Sequence, residues 1–333
     1  MGLNSMSGMV GSFQCTAGDD VVAQVSVDAG QPYNSGHNAS RLLLLIIRPD
    51  GSTTSLPWQS VPGYSRVYPP RRVFASDDSV YAFVMALENK PLDAGSRPLR
   101  VPLVLKFDDS GTLKNVVRLA TDTLPVSFGV FPSGNLLVVS KDRLNSRMRL
   151  QVLKSNGDNG YDLPLGDNDY TQHHGATADG PQGEVSFSAD FLVGATDIYS
   201  RGQNLLLVPI ATATLPVLEV SESGIVRSVV PRLPKGSVIA EFVPSTGSNW
   251  NIRLGGINDS TYSHPDSSGT LGGASMKMST LMAEFSPNDG SLVRELDLGA
   301  VDVYPACAEP NQYTLLTGHY EDGQLQIVEA SPR

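Results

Sequence analysis

With 333 residues, 40% of them hydrophobic and only 17% charged, the chain can build a large packed core and lacks the composition of a disordered one. Its formal net charge of −10 repels phosphate backbones and anionic membrane surfaces, so nucleic acid is not an expected partner. Apolar runs such as Leu42–Ile47 are only of strand length, so membrane insertion is not expected either.

The opening residues, Met1–Met6, have neither a basic region nor an apolar one, and read without a signal peptide. Next comes Ser12–Val27, two short apolar runs around Asp19-Asp20, followed by Leu45–Leu56 (LIIRPDGSTTSL). The same two parts return as Val73–Leu87, turning at Asp77-Asp78, and Val104–Leu119 (VLKFDDSGTLKNVVRL). They return again as Phe128–Ser140 with Gln151–Leu165, and as Thr196–Pro209 with Val217–Val230. Met282–Leu296 (MAEFSPNDGSLVREL) is a fifth copy of the second part. Tyr313–Gly318 and Gln324–Val328 are two further strands, joined through Tyr320–Gly323.

The second part is always an apolar strand, a polar turn with Gly and another strand; the turn glycines are Gly51, Gly111, Gly157, Gly224 and Gly290. Glycine supplies the positive φ of tight hairpin turns. No apolar stripe of helical spacing is sustained over three turns. The pattern predicts an all-β chain folded as a β-propeller of six four-stranded blades, in one domain over 1–333. The blades are expected at 11–58, 71–119, 125–165, 189–231, 237–298 and 301–333. The sixth lacks an outer strand, which an N-terminal strand is expected to supply, closing the ring. A β-sandwich or a pair of small β domains is the alternative.

Within Gly129–Asp158 (GVFPSGNLLVVSKDRLNSRMRLQVLKSNGD), Gly134-Asn135, Asp142, Asn145, Arg147 and Gly157 occupy the slots of an NHL-type repeat. The chain resembles that family, specifically over about thirty residues and elsewhere as architecture. The resemblance implies a six-bladed, NHL- or TolB-like propeller. Such propellers include scaffolds, sugar and peptide binders, lactonases and lyases, so the resemblance leaves function open.

In a propeller, the loops between second and third strands and the crossovers between blades share one face, where ligands usually meet long loops. His37, His173, His174, His264 and His319 all project onto that face, with Tyr262 beside His264. The crossover Leu56–Arg72 adds Trp58, Tyr64, Arg66, Tyr68, Arg71 and Arg72, residue types enriched at recognition surfaces. The ligand-binding set expected on this basis is Trp58, Tyr64, Arg66, Tyr68, His173, His174, Tyr262 and His264. Three converging histidines can hold a Zn²⁺-bound water, which makes His173, His174 and His264 the candidate metal ligands. The alternative is that they are solvated loop residues. The acidic turns suit Ca²⁺, but turn aspartates more often bond their own backbone. No cofactor is therefore expected, with Ca²⁺ and Zn²⁺ as the only candidates.

Cys15 and Cys307 fall at matching positions of the first and sixth units, neighbours across the seam of a closed ring. They are a candidate disulfide, or else two small core residues. The expected function is a non-enzymatic ligand-binding or scaffold propeller, secreted or periplasmic, recognising a polar small ligand, a glycan, or a peptide or protein on the loop face. The rival is a metal-dependent hydrolase or lyase using the histidines of that face.

Overall fold

The computed structural model describes residues 10–16, 20–27, 41–76, 78–89, 100–119, 123–142, 148–158, 160–163, 196–210, 215–245, 247–256, 279–300, 303–309, 312–319 and 324–330. The strands form in hairpin order. The first sheet is β1 (Val10–Cys15), β2 (Val21–Val27), β3 (Arg41–Ile47) and β4 (Thr53–Ser55). In the second, β5 (Tyr64–Val67) and β6 (Arg72–Ser76) both pair with β7 (Ser79–Glu88), followed by β8 (Arg100–Asp108) and β9 (Leu113–Arg118). The third holds β10 (Thr123–Val130), β11 (Leu136–Asp142), β12 (Met148–Leu153) and β13 (Tyr161–Leu163). The fourth holds β14 (Thr196–Arg201), β15 (Asn204–Pro209), β16 (Val217–Ser221) and β17 (Gly224–Val229). The fifth is β18 (Ser237–Val243), β19 (Trp250–Gly256), β20 (Ser279–Phe285) and β21 (Leu292–Ala300). The last is β22 (Val303–Glu309), β23 (Gln312–His319) and β24 (Gln324–Ala330).

The first strand of each sheet faces a common axis. β1 packs on β6, β6 on β10, β10 on β14, β18 on β22, and β22 back on β1. The fourth and fifth sheets share a core in which Tyr199 meets Phe242 with ring centroids 5.0 Å apart. This radial arrangement is a β-propeller. It has five full blades, not six blades of four strands. The sixth sheet has three strands, and among the described residues no N-terminal strand pairs with its outer edge. The most N-terminal described strand, β1, is instead the inner strand of blade 1, paired with β2. What joins the sixth sheet to the first is covalent: Cys15 and Cys307, on neighbouring inner strands, form a disulfide with Cα atoms 5.7 Å apart.

The apolar pattern follows from this geometry. Middle strands are covered on both faces by neighbouring blades, so they read as continuous apolar runs, as in β3 (RLLLLII) and β15 (NLLLVP). Outer strands have one face in water and thin out to alternation, as in β9 and β17. Phe74, Phe83 and Phe128 wedge blades 2 and 3 together, with ring centroids 6.2 Å apart for both Phe74–Phe128 and Phe83–Phe128. Burying each such ring contributes about 1.5–3 kcal/mol.

The repeated turn joins the two outer strands of each blade. A side-chain oxygen caps the backbone two residues on at Asp50, Asn156, Ser221 and Asp289. In blade 2, Asp108 accepts from the Thr112 N–H and from Lys114 Nζ at 2.8 Å, which holds its carboxyl well below the usual range. The turn glycines also set the spacing between blades. A Cβ on Gly157 would lie 2.6 Å from the Arg118 carbonyl, and one on Gly290 would lie 2.2 Å from the Val230 carbonyl. These two turns, and the one at Gly111, are thus seated against the outer strand of the preceding blade.

Candidate functional site

Two groups of polar residues occupy the axis and its loop-bearing rim. The first lies on the inner strands. Gln14, on β1, is buried; its Oε1 accepts from the Ala75 N–H at 2.8 Å and its Nε2 donates to the Ile198 carbonyl at 2.9 Å. One amide therefore ties blade 1 to blades 2 and 4. Arg72, at the start of β6, meets Asp197, at the start of β14, at 3.3 Å. This pair joins blades 2 and 4 without passing through blade 3, so it lies on the axial side. Glu241 on β18 is the cross-strand partner of Arg253 on β19, and Arg253 Nε reaches its Oε2 at 2.9 Å.

These charges act on one another. Burial pushes the Asp197 carboxyl up against the opposing pull of Arg72. Burial also pushes Glu241 up to about 7, with Asp197 adding repulsion and Arg253 opposing both. The Tyr199 hydroxyl is raised well above its ordinary value, by burial first and then by Asp197 and Glu241.

The second group is at the rim. β7 is ten residues long and runs past β6, and β5 pairs with its far end. The Tyr68 and Arg71 N–H groups bond the Met85 and Phe83 carbonyls, at 2.8 Å each, bridging the gap between β5 and β6. The end of blade 2 that follows the crossover is thereby built out in rigid sheet. On it Tyr68 is flanked by two guanidinium groups, with Arg66 Cζ 4.8 Å and Arg100 Cζ 4.9 Å from the ring centroid. Each such contact is worth about 0.5–1 kcal/mol at an exposed site.

The structure divides the expected recognition residues. Arg66 is exposed, and Tyr64 and Tyr68 are half-buried beside it. Trp58 is a correction: it is 5% exposed, packed in the core between blades 1 and 2, and has no ring face to offer a ligand. His173, His174, Tyr262 and His264, and with them the expected metal ligands, lie outside the described residues. Among the described residues there is no group of three or more His, Cys, Asp or Glu suited to a metal ion. Asp197, Glu241, Arg253, Gln14 and Arg100 do not stand out in the sequence. The only signal there is a charged or amide side chain interrupting an otherwise apolar inner strand, as in Thr196-Asp197-Ile198-Tyr199.

No protein-family model and no curated protein matches the chain. Among solved structures it is similar to the GH74 xyloglucanase of Xanthomonas campestris, at 12% identity and a TM-score of 0.44, over 99% of this chain and 45% of that one. It is also similar to dipeptidyl peptidase 4 of Porphyromonas gingivalis, at 8% identity and a TM-score of 0.36, over 97% of this chain and 50% of that one. A puromycin-hydrolyzing peptidase of Mycobacterium tuberculosis matches at 13% identity and a TM-score of 0.41, over 98% and 51%. The chain spans about half the length of each. No helix in the described residues is long and apolar enough to cross a membrane.

Proposed function

We propose that the chain is a ligand-binding propeller, one domain in which β22–β24 serve as the sixth blade, taking a polar glycan or peptide on its loop-bearing face. The observation that carries this reading is the outer end of blade 2. There Arg66 and Tyr68 stand on sheet rather than on a free loop, so little side-chain order has to be created on binding. By sequence position alone His173, His174, Tyr262 and His264 are assigned to loops of the same face, and we include them in the proposed surface. The disulfide supports an exported protein, because such bonds persist in oxidising compartments. The charge of −10 argues against nucleic acid as the ligand.

The test is a screen of the purified chain against glycan and peptide arrays, followed by titration of any hit. Tyr68→Ala and Arg66→Ala are expected to weaken binding tenfold or more, on the order expected for recognition side chains, with the thermal midpoint lowered by only a few degrees for the lost ring contacts. Undiminished binding in both variants would remove blade 2 from the site.

A further inference from the structure

We propose that the outer end of blade 2 seats an acidic oligosaccharide, with a carboxylate or sulfate held between Arg66 and Arg100. This rests on the binding reading above and narrows it. Arg66, Leu87 and Arg100 are in register across β5, β7 and β8, so all three side chains leave the sheet on the same face. Two strand spacings separate the arginine backbones, roughly 10 Å, yet both guanidinium groups close on the one Tyr68 ring. Both arginines are exposed. Among the described residues neither has a carboxylate at ion-pair distance, whereas Arg72, Arg118, Arg149 and Arg253 each meet one.

A protein of charge −10 thus concentrates, on the sheet of β5, β7 and β8, two cations with no carboxylate partner among the described residues. The ring contacts hold the guanidinium planes but do not neutralise them. An anion between them would, and the planar fork of Arg is suited to carboxylate or sulfate. A sugar fits this surface better than an added peptide strand. β5 is only four residues long, and Pro62, Pro69 and Pro70 at its flanks carry no N–H for a longer ladder.

The test uses the full chain on an array of uronate, sulfated and neutral oligosaccharides, methyl-esterified uronates and acidic peptides. Binding is expected to the uronate or sulfated members, to be lost on methyl esterification, and to weaken as salt is raised. The Arg66→Gln/Arg100→Gln variant is expected to lose about tenfold or more in affinity, while Lys235→Ala, an exposed cation of another crossover, loses none. Equal binding of esterified and free uronates would overturn the anionic seat while leaving the binding reading intact. Capture of acidic peptides alone would overturn the sugar. A chain that takes no glycan and no peptide would remove the binding reading as well. The ester comparison needs no variant, so misfolding of the double variant would not obscure the outcome.

Discussion

Glu241 has the environment with the plainest measurable consequence. Burial raises its carboxyl from an ordinary 4.5 to about 7, against the pull of Arg253. Between those values the folded chain keeps a proton that the unfolded chain has released. The folded state then binds more protons, so this contribution to stability is full below the lower value and is lost as pH rises through the upper one. The limiting slope is about 1.4 kcal/mol per pH unit. Glu241→Gln is expected to flatten this fall, seen as a smaller drop in the urea midpoint between about pH 5 and pH 8. Identical drops in the variant and the parent chain would show that Glu241 titrates normally. Asp197, also raised by burial against the pull of Arg72, acts in the same direction. None of this is legible in the sequence. Glu241 is one acid in Val-Ile-Ala-Glu-Phe-Val, and only the packing of blade 4 against blade 5 brings it near Asp197. The histidines stand out in sequence because imidazole carries chemistry at any position, whereas a carboxylate gains its character from burial.

At the scale of the strand and turn, much more is readable. Gly51, Gly111, Gly157, Gly224 and Gly290 read as turn residues, and all have positive φ. That requirement is local, so the adjoining residues reveal it. The close approach of a turn to the preceding blade is not local, and it separates glycines that look alike in sequence. At Gly51 a methyl group would have nothing within 4 Å of it, whereas at Gly290 it would face the Val230 carbonyl. Gly51→Ala is expected to cost about 1 kcal/mol, for the left-handed backbone alone. Gly290→Ala is expected to cost roughly 2–4 kcal/mol, because overpacking adds to it. Guanidinium unfolding of the two variants checks this, and equal losses would mean that the turns are not seated against their neighbours. The same distinction explains the recognition residues. That Leu56–Arg72 crosses between blades is visible in the sequence. That Trp58 turns inward while β5 adds to β7 depends on pairing with residues about twenty positions away.

For the molecule as a whole, the repeat reveals the radial architecture, and closure is where expectation and structure part. A fourth strand is expected on the last sheet because the other units have one; the structure instead links β1 to β22 through Cys15 and Cys307. The bond encloses nearly the whole chain, so its loss should be felt globally. Removing it by Cys15→Ser with Cys307→Ser is expected to lower stability by roughly 3–5 kcal/mol, if constraint of the unfolded chain dominates. Chemical denaturation of the double variant measures the loss. Thiol titration of the denatured parent chain should find no free cysteine, and two titratable thiols would refute the bond.

The same bond has a consequence for proteolysis. The chain from Cys15 to Cys307 is a covalent circle. A single cut at any exposed loop within it opens the circle without dividing the molecule in two. Both fragments stay joined at the seam, and the blades on either side of the cut remain packed. On a gel the nicked protein runs as one species until it is reduced, and only then as two. Surface cleavage therefore scars this propeller without dismantling it.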